Sequence, residues 1–99
     1  MTLYPYDMLR TFQVVAHNLS MTAAASQLNQ SKGSVSYQIK TLEYQLGFPL
    51  FERANARLHL TSEGLRLLRV SQVSLDQIDK EIEVLRYKEP APLTIALQT

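Results

Sequence analysis

Residues 20–47 contain two stretches of helical pattern, separated by a connection too short for anything except a tight turn. In the second stretch apolar residues recur at intervals of three and four, which predicts a helix with one face on a core. These residues are Val35, Ile39, Leu42 and Leu46. The opposite face is small, hydroxylated and basic, and it consists of Gly33, Tyr37, Lys40 and Tyr44, with Ser36 at its edge. This combination predicts a helix-turn-helix whose second helix fits the DNA major groove.

Capping residues mark the ends of the predicted helices. A first helix is expected to begin at Tyr4-Pro5, because proline suits a first turn, and to end near Asn18. Ser20 and Ser31 are the predicted N-caps of the second and third helices. Gly47 is predicted to close the third helix in the left-handed conformation.

The segment after the third helix has the pattern of a small hairpin. Residues 51–60 carry two short extended stretches around the turn at 54–57. Asn55 is the turn residue most able to take a positive φ. The hairpin corresponds to the wing of a winged helix.

A final helix is predicted from the N-cap Thr61 to about Lys88, where Pro90 stops it. Apolar residues with charged neighbours recur along it in a coiled-coil pattern, at Leu68, Leu75, Ile78, Ile82 and Leu85. The helix is longer than the core of so small a domain. We therefore expect these residues to form a homodimer interface, although the same seam could instead pack on its own domain.

Composition limits the kinds of protein that the chain can be. Its 99 residues suit one small domain plus an appendage, and an apolar content of 45% supports a core. The absence of cysteine excludes a disulfide scaffold and thiolate chemistry. No apolar run approaches the roughly 20 residues that span a bilayer, and the N-terminus lacks the features of a signal peptide. We expect no membrane association and a cytoplasmic location.

Charge is distributed unevenly along the chain, although the net charge is only +1. Residues 1–61 hold five basic and three acidic residues, whereas residues 62–99 hold five basic and six acidic ones. The basic residues of the first part cluster at and after the third helix. A surface that faces phosphates would lie there.

The sequence carries no signature of catalysis. It has no Ser/His/Asp grouping, no glycine-rich phosphate loop and no paired-carboxylate motif. His17 and His59 are too few and too far apart to suggest a metal site or a catalytic dyad. We expect neither an enzyme nor a cofactor bound by these residues.

Several short motifs occur at specific spacing across residues 6–64. They are Ala23-Ala24-Ala25 with Leu28, Val35-Ser36 followed by Gln38-Ile39, Leu42-Glu43, Leu46-Gly47, Leu50-Phe51 with Arg53, and Leu60-Thr61 with Glu63-Gly64. In their joint spacing the chain resembles the N-terminal DNA-binding region of LysR-type transcriptional regulators. The resemblance implies a mainly α winged helix-turn-helix and a dimer through antiparallel pairing of the long linker helices. It also implies that the full protein is often a tetramer.

The resemblance further implies which residues meet promoter DNA. Those that face the groove or its phosphates are Ser31, Lys32, Gly33, Ser34, Ser36, Tyr37 and Lys40, and those that approach the backbone from the wing are Arg53 and Arg57. Lys32 either donates to a guanine edge or neutralises a phosphate. Lys32, Gly33 and Tyr37 differ from the usual family pattern, so the sequence preference of this chain is expected to depend on them.

The domain organisation follows from these elements. Residues 1–61 are predicted to be the DNA-binding domain, residues 62–89 the linker and dimerisation helix, and residues 90–99 a hinge with the first strand of an effector-binding domain. A small-molecule effector is expected only for that further domain. The predicted function is sequence-specific promoter binding as a dimer, and the alternative is a helical dimerisation or adaptor module that does not bind DNA.

Overall fold

The computed structural model describes residues 6–87, which form four helices and one hairpin. The elements are α1 (Tyr6–Asn18), α2 (Met21–Leu28), α3 (Lys32–Leu46), β1 (Phe51–Ala54), β2 (Arg57–Leu60) and α4 (Ser62–Arg86). The predicted winged helix-turn-helix followed by a long helix is therefore confirmed. The predicted start of α1 at Tyr4-Pro5 and the hinge and strand of residues 90–99 lie outside the described residues.

The core lies where α1, α2, α3 and the base of the hairpin meet. Its largest fully buried side chains are Phe12, Ile39, Leu42, Leu50, Val15 and Val35. Small residues of α2, Ala24 and Ala25, are also buried, so the neighbouring helices approach α2 closely. The ring of Phe12 packs on that of Phe51 with centroids 5.6 Å apart, which anchors the hairpin to α1. This core fixes α3 with its predicted apolar stripe inward.

The predicted caps are present. The hydroxyl of Ser20 accepts from the Ala23 N–H at 3.1 Å, and that of Ser31 accepts from the Ser34 N–H at 3.0 Å. Gly47 closes α3 with a φ of 89°. These caps satisfy backbone groups that the helix ends leave without partners, and they fix the corner between α2 and α3.

The hairpin pairs Phe51 with Leu60 and Ala54 with Arg57 in an antiparallel register. Its two turn residues, Asn55 and Ala56, have φ values of 55° and 61°. Two consecutive positive φ angles produce the kind of turn that matches the twist of the flanking strands. The sequence predicted the left-handed Asn55, whereas alanine is unusual in that conformation.

Helix α4 begins at the predicted N-cap Thr61, whose side chain accepts from the Gly64 N–H at 2.9 Å. The same hydroxyl donates to the Pro49 carbonyl at 2.8 Å, which ties the start of α4 to the segment before the hairpin. The 25 residues of α4 span about 37 Å, so the helix extends well past the core. None of the helices within residues 6–87 is long and apolar enough to cross a membrane.

The apolar seam of α4 divides into two parts. Leu75 is only 4% exposed, and Leu68 is partly buried against the core of its own domain. These two residues are therefore occupied within the chain, as in the alternative interpretation of the seam. Ile78, Ile82 and Leu85 remain 45%, 43% and 59% exposed. Only this second part is open to a partner.

Candidate nucleic-acid interface

The outward face of α3 is fully available to a ligand. Residues 31–34 are exposed, as is Lys40, while Ser36 is half-buried. Tyr37 is 72% exposed, so its ring has no packing role in the core. The sequence-predicted division of α3 into a buried and an exposed face is therefore confirmed.

The N-terminal end of α3 suits negatively charged groups. Backbone N–H groups of a first helical turn point outward and carry partial positive charge. Lys32 adds a full charge at this end, and a Cβ at Gly33 would meet no atom within 4 Å. Gly33 thus leaves open space at the helix surface, which allows a close approach by a phosphate or a base.

A chain of polar side chains joins α1 to the corner before α3. The buried hydroxyl of Thr11 donates to Gln38 Oε1 at 2.7 Å, and Gln38 Nε2 donates to Gln30 Oε1 at 2.6 Å. The hydroxyl of Ser34 donates to Gln30 Oε1 at 3.0 Å and accepts from Gln38 at 3.2 Å. Ser34, which the sequence placed toward phosphate, is therefore already engaged within the protein. Gln30 was not predicted to belong to this surface, although it precedes Ser34 by four residues, a spacing at which side chains commonly meet.

Two adjoining clefts lie between α3 and the hairpin, and basic side chains of both elements line them. The first has a volume of about 410 Å³ and includes three of the predicted DNA contacts, Lys32, Arg53 and Arg57. The second, of about 340 Å³, includes Ser36 and Lys40 and shares Lys32 and Arg53 with the first. The structure thus brings residues from α3 and the hairpin, up to 25 positions apart in sequence, to one surface.

The same surface carries three polar residues that the sequence analysis did not assign to it: Ser20, Thr22 and His59. Ser20 and Thr22 lie at the N-terminal end of α2. A second helix N-terminus therefore borders the first cleft and adds to its positive potential. From the sequence, Ser20 was predicted only as an N-cap. That this cap faces the hairpin depends on tertiary packing, which the sequence pattern does not show.

Two acids, Glu43 and Glu52, lie near these cations without forming an ion pair to them within residues 6–87. Glu43 accepts from the Leu50 and Phe51 N–H groups at 2.7 and 3.2 Å, so its carboxylate is held by the chain that leads into the hairpin. Glu52 borders the second cleft. Within residues 6–87, neither Lys32, Lys40, Arg53 nor Arg57 forms a salt bridge. These four charges are available to phosphates. The described residues include no cluster of side chains that could hold a metal ion.

Comparison with known proteins agrees with this geometry. Residues 6–65 match the family described as "Bacterial regulatory helix-turn-helix protein, lysR family". The HTH-type transcriptional activator AmpR of Providencia stuartii is 44% identical over 79 residues, which cover 80% of this chain and 27% of that protein. The HTH-type transcriptional regulator DsdC of Escherichia coli is 37% identical over 81 residues, which cover 82% and 26%. The chain spans about a quarter of the length of these relatives.

Solved structures share the fold and include complexes with DNA. The DNA-binding domain of BenM bound to benA site 1 DNA superimposes with a TM-score of 0.77 at 30% identity, covering 81% of this chain and 90% of that one. The CbnR domain in its DNA complex gives 0.76 at 29% identity, covering 83% and 94%. The family match covers more than half of this chain, so the chain belongs to the LysR family of bacterial helix-turn-helix regulators.

Proposed function

We propose that this chain binds promoter DNA in a sequence-specific manner and is the DNA-binding part of a LysR-type transcriptional regulator. The observation that carries the proposal is the continuous surface formed by the exposed face of α3 and the cationic clefts beside the hairpin. An α-helix of this kind fits the major groove, and the hairpin then lies against the neighbouring backbone. Solved structures of similar domains in complex with DNA support DNA binding by this fold.

Each residue of the surface has a proposed role that follows from its chemistry and position. Lys32, at the start of α3, reaches a guanine edge or a neighbouring phosphate. Tyr37 contacts a sugar, a phosphate or a thymine methyl group, and Lys40 neutralises a phosphate. The remaining proposed phosphate contacts are the hydroxyls of Ser31 and Ser36, the backbone at Gly33, and the guanidinium groups of Arg53 and Arg57. Ser34 would join them only by exchanging its hydrogen bond to Gln30 for one to a phosphate.

We further propose that two copies bind together through α4. Ile78, Ile82 and Leu85 form an exposed apolar stripe on the part of the helix that extends beyond the core. Antiparallel pairing of two such helices would bury this stripe and place two recognition helices on one DNA molecule. Leu68 and Leu75 support the interface from beneath, because they already pack on their own domain. A tetramer in the full-length protein remains a prediction.

The proposed regulator would also respond to a small molecule through a further domain. The similar regulators are about three times as long as this chain, which leaves room for such a domain in a full-length protein. No residue described here is assigned to an effector. A promoter-binding function implies a cytoplasmic location in a bacterium, and that location also stays a prediction.

DNA binding can be distinguished from the alternative adaptor function by titration. Fluorescence anisotropy with a promoter duplex should show saturable binding. Measured at several salt concentrations, the logarithm of the association constant should fall linearly with the logarithm of the salt concentration. Lys40→Ala should weaken binding to all sequences and reduce the salt slope by about 1.8, because each of the two proposed copies loses one phosphate contact. Lys80→Ala is the matched control, since Lys80 is an exposed lysine of α4 away from the clefts. An adaptor module would show no saturable binding, and an unchanged slope for Lys40→Ala would remove this residue from the interface.

Substitution of charged residues in the exposed apolar stripe of α4 tests dimerisation. Ile78→Glu combined with Ile82→Glu should yield monomers in analytical ultracentrifugation, because both charges would be buried without partners at the interface. Val70→Glu combined with Val73→Glu is the control, since these valines are exposed on another face of α4. A persistent dimer of the isoleucine variant would contradict the proposed interface.

A further inference from the structure

A polar cluster outside the DNA-binding surface connects α1 to α4. The Arg10 guanidinium forms an ion pair with Asp79 and donates to the Leu75 carbonyl at 3.2 Å and to the Tyr6 hydroxyl at 3.0 Å. The Tyr6 hydroxyl in turn donates to the other carboxylate oxygen of Asp79. Gln13 accepts from Arg10 at 2.9 Å and holds the guanidinium from the side. The cluster thus joins residues that are about 70 positions apart in the chain.

The location of the cluster gives it a mechanical role. Leu75 is the most C-terminal buried residue of α4, and every later described residue is exposed. Asp79 lies one turn beyond Leu75, and its bonds are the most C-terminal side-chain bonds from α4 to another element within residues 6–87. The cluster therefore holds the helix where it leaves the domain. Thr61 fixes the start of α4 and apolar packing continues to Leu75, but apolar packing is not directional and would leave the outer part of the helix less firmly held.

We infer that Tyr6, Arg10 and Asp79 fix the angle of α4 against the recognition domain, and thereby the separation of DNA half-sites that the dimer accepts. This inference rests on the proposed dimeric DNA binding. The part of α4 from Leu75 to Arg86 is about 16 Å long, so a tilt of about 10° displaces its far end by about 3 Å. In a dimer the two displacements add to about 6 Å, which corresponds to about two base pairs at 3.4 Å each. A small change in the helix angle at Asp79 is therefore enough to displace one recognition helix from its half-site on the DNA.

The cluster has the properties that such a role requires. The hydrogen bond from Tyr6 and the charge of Arg10 hold the pKa of Asp79 below its usual value, so the carboxylate stays ionised at neutral pH. The guanidinium carbon also lies 5.3 Å from the centroid of the Tyr6 ring. Two hydrogen bonds from two positions of α1 therefore converge on one carboxylate, and their donors also contact each other. None of these residues borders the clefts that contain the proposed DNA contacts.

The experiment measures affinity as a function of half-site spacing. Wild type, Asp79→Asn and Tyr6→Phe are titrated against duplexes that carry two selected half-sites at the preferred separation or one or two base pairs away from it. A duplex with a single half-site reports on the recognition surface alone. Asp76→Asn is the matched control, because it removes an exposed carboxylate from the same helix outside the cluster.

We expect Asp79→Asn and Tyr6→Phe to bind the single half-site within about twofold of wild type. Their preference for the best spacing over one shifted by two base pairs should fall by about fivefold or more, while Asp76→Asn keeps the wild-type preference. A wild-type spacing profile in both cluster variants would overturn the inference and leave the proposed function standing. If the wild type itself shows no saturable binding, both the inference and the proposed function are wrong.

A distance measurement without DNA provides an independent test. The chain has no cysteine, so spin labels can be introduced at Gln27→Cys in α2 and Glu83→Cys in α4 without removing native thiols. Within one protomer, the distance distribution should be narrow in wild type and broader in Tyr6→Phe. Equal widths would show that the cluster does not hold α4 and would overturn the inference.

Discussion

Replacement of Gly64 with alanine should destabilise the domain, although alanine favours helices. Gly64 lies in the first turn of α4, directly against the backbone of Leu50. A Cβ there would overlap the Leu50 carbonyl oxygen and lie 3.1 Å from both its carbonyl carbon and a methyl group of Leu60. The same carbonyl oxygen accepts from the Thr61 N–H at 3.0 Å, so moving it away would weaken the bond that holds the start of α4.

The magnitude follows from these contacts. Overpacking against a backbone group costs about 1–3 kcal/mol, and about 1 kcal/mol for the strained Thr61 hydrogen bond adds to it. The helix propensity of alanine offsets up to about 1 kcal/mol. We therefore expect a net loss of about 1–4 kcal/mol, or a fall in Tm of about 5–25 °C for a domain of this size.

Gly33→Ala is the matched control, because Gly33 also lies in a first helical turn but has no atom within 4 Å of a new Cβ. It should stabilise the domain by about 0.5–1 kcal/mol. Urea unfolding followed by circular dichroism measures both variants. If Gly64→Ala unfolded within about 0.5 kcal/mol of wild type, the close approach of α4 to Leu50 would be wrong.

Three further predictions concern the hairpin and the cluster. Glu43→Gln should lower stability by about 1–2 kcal/mol in urea unfolding, because two backbone N–H groups lose a charged acceptor; an unchanged midpoint would contradict this. Ala56→Gly should raise stability by about 0.5–1 kcal/mol, because glycine adopts a φ of 61° without strain; a lower Tm would show that the turn has another conformation. Because the folded state lowers the pKa of Asp79, its contribution to stability should be complete above the ordinary pKa of an aspartate and lost as the pH falls through the lower folded value. The stability difference between wild type and Asp79→Asn should therefore shrink in acid, and a difference that grew would refute the ionised cluster.

Local signals in the sequence were sufficient for most of the fold. The caps at Ser20, Ser31 and Thr61 depend on neighbours only three residues away, so they can be recognised without tertiary information. The face of α3 that is buried also follows from periodicity alone. The same periodicity could not show what covers the seam of α4. It cannot distinguish Leu75, which packs within its own domain, from Ile82, which remains exposed.

Long-range polar contacts were not predictable from the sequence. The link from Thr11 through Gln38 to Gln30 and the ion pair of Arg10 with Asp79 join residues far apart in the chain. Each depends on how two helices cross, which no local pattern specifies. The meeting of α3 with the hairpin cations is of the same kind: charge clustering along the chain and a family resemblance assigned these residues to one ligand, but neither showed how they meet in space.

Methylation interference on a DNA site selected from random sequence by this chain tests the central claim most directly. Methyl groups at guanine N7 block the major groove at the position where a recognition helix would lie. We predict two patches of interference in major grooves on one face of the duplex, separated by about 10.5 base pairs or a multiple of that distance. A single patch would contradict binding as a dimer. Saturable binding without interference would contradict the placement of α3 in the major groove.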